Sequence, residues 1–368
     1  MEFGLNEEQQ QLKQSARTFL AAECTSAAIR KTMAGAEGHP RELYAQIAKL
    51  GWNGILVPEK FGGAGLGMLD MAMILEECGY AAMPGPFLFS SAIAASALKL
   101  GGSDAFNSKW LSAISSGAAT GTIAIVESAD SFDPVDIAAS ASKTGAQWRL
   151  TGTKMFVPYA HVADFIVVAA KNEAADIGLF AVETKSPGVK MHSLQGVDLT
   201  RRTSIVEFNN TPAIALDGAG DLFAKLIDIG AIAIAADSLG GMERALEMAV
   251  EYSKVREQFG KPIGSFQALK HAAAEMVAEL EPARALLWYA AYAIDSGAPD
   301  ASRAASMAKG LLCSIYSRGT DRAVLMHGGI GFTWEHDMHL WFKRARFNES
   351  YFGAPPYHRE RVAALGGY

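Results

Sequence analysis

The feature that most constrains this chain is a change of texture that happens twice. From residue 5 to about 117, apolar side chains recur at helical spacing. From Gly121 short β-branched or aromatic runs alternate with turn residues, and from Leu222 helical spacing returns almost to the C terminus. Helices at both ends of one β insert is an uncommon layout, and it narrows the fold more than any single motif does. The expectation is an α+β multidomain chain, with a helical domain over 1–118, a middle antiparallel β-barrel or sandwich over 119–218, and a helical domain over 219–368. A chain of 368 residues is too long for one compact core, so two or three packed units are expected.

Local signals fill in this outline. Asn6-Glu-Glu-Gln is a helix cap with carboxylates in the first turn, and Leu12, Ala16, Phe19 and Leu20 follow at helical spacing. Further helices are expected over 43–50, 68–80 and 90–100, with Met83-Pro-Gly-Pro86 unable to join them. Strands are expected at 122–126, 148–157, 165–170, 177–182 and 203–208. The most apolar run, 226–239, is shorter than a bilayer span and carries Asp228 and Asp237, so it reads as a buried helix.

Charge and cysteine usage exclude some classes. The formal net charge is -6, which gives no reason to expect nucleic acid or an anionic membrane as partner. Cys24, Cys78 and Cys313 are far apart, odd in number and follow no metal spacing, so they read as reduced thiols of a cytoplasmic protein. Met1-Glu-Phe-Gly-Leu-Asn-Glu opens with acid and runs into a helix, so no signal peptide is expected. His327, His336 and His339 cluster near the C terminus, yet their spacing fits no zinc pattern, and no metal is expected.

Chemistry concentrates in Val255-Arg-Glu-Gln-Phe-Gly-Lys-Pro-Ile-Gly-Ser-Phe-Gln-Ala-Leu-Lys-His271, between two helical patterns. Arg256 offers a fixed fork of donors suited to a diphosphate, Phe259 an apolar face, and Gln267 an amide that donates and accepts. Two further segments are Leu50-Gly-Trp-Asn-Gly-Ile-Leu-Val-Pro-Glu-Lys-Phe-Gly-Gly-Ala-Gly-Leu-Gly67 and Leu325-Met-His-Gly-Gly-Ile-Gly-Phe-Thr-Trp-Glu-His336. The first contains a GxG, but no strand precedes it, so it is not read as a phosphate cradle. All three, in this order, resemble the acyl-CoA dehydrogenase family, and the likeness covers nearly the whole chain. It implies the same helix–β–helix order, a C-terminal four-helix bundle that makes a tetramer, and FAD as cofactor. It also implies α,β-desaturation of an acyl-CoA thioester, with an electron-transferring flavoprotein as acceptor. The phrases Met83-Pro-Gly-Pro86 and Gly331-Phe-Thr-Trp-Glu-His336 are most similar to shorter bacterial members, which act on dicarboxylyl, branched or steroid side-chain thioesters, often as pairs of unlike subunits.

That reaction needs a carboxylate to take the α-proton, a flavin to accept the hydride, and donors to polarise the thioester. The resemblance places the family's two alternative Glu bases at Phe352 and Gly230, neither of which removes a proton. Asp237 lies seven residues past Gly230, roughly 10 Å along a helix axis, among small apolar neighbours. Two readings of it stay open: catalytic base, or a buried hydrogen-bonded or salt-bridged contact with an Arg. The cofactor residues implied are Arg256, Phe259, Gln267, Leu325 (where a Gln is usual), Gly328 and Gly329, with Phe156 to stack on the ring. Pro158 stands in place of a hydroxyl residue and supplies no backbone N–H.

Glu127 and Ser128 are candidate contacts for the thioester arm, with a plain strand-end turn the alternative. Arg201 and Arg202 are candidates for CoA phosphates, against solvated or acid-paired arginines. Trp341 and Phe342 read as subunit-interface residues. Residues that reach outward to a neighbour's cofactor are kept better than those that build a site within the chain. Three functions follow: a catalytic dehydrogenase, alone or as one subunit of an α2β2 complex; a non-catalytic partner completing a neighbour's FAD site; or a same-fold flavin oxidase or hydroxylase.

Overall fold

A computed structural model describes residues 4–145 and 147–368. Met1–Phe3, on which part of the expectation about the chain's opening rests, lie outside the described residues. In chain order the helices are α1 (Glu7–Glu23), α2 (Ser26–Ala34), α3 (Arg41–Lys49), α4 (Met68–Tyr80), a π-helical turn (Leu88–Ala94) running into α5 (Ala95–Gly101), and α6 (Asp104–Ser115). Strands follow: β1 (Gly121–Ala124), β2 (Ser140–Thr144), β3 (Gln147–Pro158), β4 (Phe165–Lys171), β5 (Ile177–Glu183), β6 (Val189–Leu194) and β7 (Thr203–Ala215). Then come α7 (Ala219–Val255), a hairpin of β8 (Glu257–Gln258) and β9 (Lys261–Pro262), α8 (Gln267–Ser296), α9 (Ala301–His327), α10 (Met338–Ser350) and α11 (Pro355–Gly366). The order is the expected one. By packing, however, the chain divides into two compact units that are not sequence blocks: Thr32–Met71 with Pro84–Gly230, and Met1–Lys31 with Ala72–Met83 and Ala231–Tyr368.

The first unit is built on a sheet of seven strands among the described residues. Its ladder is mixed rather than wholly antiparallel, because β1 runs parallel to β4, from Gly121↔Phe165 to Ala124↔Val168. Its return pairing, β2 to β4, is the single pair Ser140↔Lys171. Leu150, Ile166, Val168, Phe180, Val182, Val206 and Phe208 fill one buried core. Trp110 of α6 packs on Phe165 with ring centroids 4.9 Å apart, so the helix covers the sheet through an aromatic pair.

The second unit is a helical bundle. Helices α4 and α7 cross at glycines: a Cβ on Gly79 would lie 1.9 Å from the Asp237 carbonyl oxygen, and one on Gly240 1.7 Å from that of Glu76. Only glycine lets the backbones meet so closely. Beside the crossing, Glu76 and Glu77 are buried carboxylates. Lys13 Nζ reaches both at 2.7 Å, Arg17 pairs with Glu77 and, at 2.9 Å, with Glu243, and Arg284 pairs with Glu76 and, at 2.7 Å, with Glu243. This network ties α1, α4, α7 and α8 together. Trp341 corrects the interface expectation: it is buried, and its Nε1 donates to the Gly79 and Tyr80 carbonyls at 3.1 and 3.2 Å.

Candidate functional site

The bundle gathers its candidate cofactor residues at one end. Tyr252, near the end of α7, stacks on His327, the last residue of α9, with ring centroids 4.8 Å apart. His327 also meets His336, with ring centroids 4.5 Å apart and the planes tilted by 59°, so the three rings form one aromatic cluster. One turn past Tyr252, Arg256 opens the β8–β9 hairpin, whose two-residue turn is Phe259-Gly260. Both turn residues have positive φ, 53° and 77°, the geometry of a type I′ turn. A phenylalanine there is strained, and its ring is 91% exposed. Gln267 follows as the first residue of α8 and is exposed.

At the end of α9, Gly328 adopts φ 63° and ψ −141°, open in practice only to glycine. A Cβ on Gly328 or Gly329 would meet nothing within 4 Å, so this backbone lies bare. Leu325, Ile330, Phe332 and Trp334 are exposed around it, as are Val255 and Phe259 on the hairpin side. Among the described residues the Arg256 guanidinium has no carboxylate partner. A free guanidinium, an outward ring and a bare glycine backbone fit the phosphates and apolar faces of a dinucleotide.

In the sheet unit, Phe156 is 39% exposed at φ 51°, on an irregularity of β3 that falls between Lys154↔Val206 and Val157↔Ser204. That interval holds one more residue on β3 than on β7, a β-bulge. The Tyr159 side chain, also at positive φ, is wholly buried, and its hydroxyl accepts from Gly85 N at 2.8 Å and donates to Thr200 O at 2.6 Å. Glu127 has its carboxylate engaged within the protein: Oε1 accepts from Lys154 Nζ at 2.6 Å and Ala139 N at 3.0 Å, Oε2 from Ala138 N at 2.9 Å. Burial pushes that carboxyl up, but Lys154 and the two amides outweigh burial and hold it below its ordinary range. Burial draws the Lys154 ammonium down to about 8, against the pull of Glu127. Glu127 is thus placed as a loop staple, while Ser128 beside it is exposed. Arg201 is buried against Phe89, and Arg202 donates to the Met33 and Gly35 carbonyls, so neither is presented to a phosphate.

The candidate base positions are all buried. Phe352 is wholly buried at φ 59°. Its turn is fixed by His358, which bonds the Phe352 carbonyl at 2.8 Å, and by buried Lys309, which donates to the Gly353 carbonyl at 2.8 Å. Gly230 is buried within α7. Asp237 takes the structural alternative in its geometry: Asn348 Nδ2 donates to Oδ2 at 2.8 Å, and Arg344 Nη1 lies 3.5 Å from Oδ1, with both charged side chains wholly buried. Arg344 also donates to the Met83 carbonyl at 3.0 Å. Lys154, Tyr159, Arg344 and Lys309 were not singled out from the sequence. The partners described for them lie 27 to 261 residues away, beyond any local pattern.

Comparison with known proteins agrees with this layout. Models of the acyl-CoA dehydrogenase N-terminal, middle and C-terminal domains match residues 6–118, 122–211 and 218–366. The acyl-CoA dehydrogenase IpdE2 of Mycolicibacterium smegmatis is 30% identical, covering 98% of each chain. Among solved structures, a variant of the steroid ACAD Tcur3481-Tcur3483 superposes with TM-score 0.92 at 29% identity, covering 98% of each chain. The ChsE4-ChsE5 complex from Mycobacterium tuberculosis superposes with TM-score 0.92 at 28% identity, covering 100% of this chain and 99% of that one.

Proposed function

This chain belongs to the acyl-CoA dehydrogenase family, and from that premise we propose that it serves as one of two unlike subunits whose partner supplies the base. It is an oxidoreductase acting on acyl-CoA, with FAD as cofactor. The observation that carries the heteromeric reading is the wholly buried phenyl of Phe352, at the turn where the resemblance puts a Glu, together with an Asp237 committed to Arg344 and Asn348. Neither carries a carboxylate free to take an α-proton. Flavin, when bound, supplies the hydride acceptor.

The chain's own residues then have binding and orienting roles. Arg256 neutralises a diphosphate, Phe259 covers an apolar face, and Gln267, Leu325, Gly328 and Gly329 line the same end of the bundle, reaching a cofactor held mainly by the partner. Phe156 stacks on a ring from the sheet unit, and Ser128 lies on the loop that meets the thioester arm. An acyl group of steroid side-chain, branched or dicarboxylic type is the substrate class; for the steroid type, the support is the name of one similar structure, a steroid ACAD. An electron-transferring flavoprotein is the acceptor. A homotetramer that works alone, with Asp237 as base, is the rival.

The test is to introduce Arg256→Ala and Phe259→Ala in this chain only, co-expressed with a Glu-bearing dehydrogenase partner. FAD lost from the complex while the oligomer persists supports the reading. Full FAD retention contradicts it.

A further inference from the structure

We propose that Lys154, working through Glu127, is a positioning residue that holds the Phe156 ring in its outward, strained pose for the cofactor. The inference rests on the reading of Phe156 as a cofactor contact and adds a residue that reading does not contain. Lys154 is wholly buried, and its Nζ donates to Ile125 O at 3.0 Å and to Glu127 Oε1 at 2.6 Å. The same carboxylate accepts from Ala138 N and Ala139 N, so it closes the 127–139 loop onto the strand. On the other side of the bulge Tyr159 is pinned through its hydroxyl, and its N donates to Arg202 O at 2.8 Å.

Phe156 therefore stands between two fixed points, at φ 51°. A non-glycine residue keeps such a backbone only where its surroundings over-determine it. Lys154 is one of those surroundings. Stability alone does not call for a lysine there, because a buried ammonium is costly and an apolar side chain of equal length fills a core more favourably. What the charge adds is a directional grip on two segments at once. It joins the strand that presents Phe156 to the loop that carries Ser128.

The experiment has two arms, both with Lys154→Met. In the full chain without added flavin, hydrogen exchange at the Met155 and Tyr159 amides rises about tenfold, while the 165–170 amides stay protected. In the flavin-loaded complex, Lys154→Met weakens FAD binding about tenfold, but less than about twofold when Phe156→Ala is already present. A merely structural role weakens binding equally in both backgrounds, and that result overturns the inference. So does unchanged exchange at Met155 and Tyr159. Glu127→Gln releases the same grip and is expected to give the same pattern, which keeps the test alive should Lys154→Met not fold. A wild-type complex that takes up no FAD overturns the cofactor reading instead, and the exchange arm still decides whether Lys154 fixes Phe156.

Discussion

Asp237→Asn separates the two roles open to this carboxylate. The substitution keeps size and shape but removes the charge facing Arg344 Nη1 at 3.5 Å, and both side chains are wholly buried. It removes the Asp237 charge from a buried guanidinium that also donates to the Met83 carbonyl at 3.0 Å. Breaking a buried pair from one side costs about 3–5 kcal/mol, whereas replacing both partners by apolar groups is often near neutral. For a cooperative unit of about 150–250 residues this lowers Tm by roughly 6–20 °C. Thermal and urea unfolding of Asp237→Asn, Arg344→Met and the double variant measure it. Each single change is expected to destabilise strongly, and the double variant to recover most of the loss. An Asp237→Asn protein within about 2 °C of wild type, with substrate bleaching of the flavin abolished, refutes the structural reasoning and restores Asp237 as base.

Three other outcomes follow from the geometry. Gly240→Ala drives a Cβ to 1.7 Å from the Glu76 carbonyl oxygen and 2.7 Å from Tyr80 N, so a stability loss of about 1–3 kcal/mol is expected from urea unfolding. Phe259→Gly relieves a positive φ of 53° on an exposed turn; stability is expected to hold or rise slightly, while FAD retention by the complex falls. Burial pushes the His358 imidazole down to about 3 and that of His39 to about 4, both from 6.5. The unfolded chain takes up these protons first, so their contribution is present above pH 6.5 and is lost as pH falls towards 4 and 3. A Tm series over that window is expected to decline more shallowly in His358→Gln, provided that variant folds. An equally steep decline removes His358 from the account.

Much of the architecture was legible because it rests on periodicity. The 68–80 helix, the 226–239 buried run and five of the strands carry apolar residues at the spacing their elements require. Strand β2, Ser140–Thr144, escaped notice because it buries only Ala141 in a polar run. Strand β6 pairs β7 alone and is partly exposed along its length, so it lacks the apolar alternation of a core strand. The cofactor residues of the bundle were found through motif likeness. The strain at Phe156, Tyr159, Phe259 and Phe352 was not, because a positive φ on a non-glycine residue leaves no mark in composition. Asp237 stayed ambiguous for a related reason. Its small neighbours describe a buried helix face, but the arginine that settles its surroundings comes 107 residues later. Glu127 stays open between thioester contact and strand-end turn in the sequence, because Lys154, which engages its carboxylate, sits 27 residues on.

Flavin content and bleaching decide which chain bears the base. Purify this chain alone and co-expressed with a Glu-bearing dehydrogenase partner, count FAD per chain, and add steroid side-chain and short branched acyl-CoAs anaerobically. The account expects little FAD and no bleaching from the chain alone, with stoichiometric flavin per heteromeric pair and rapid bleaching from the complex. A homotetramer of this chain with one FAD per subunit and full bleaching contradicts it.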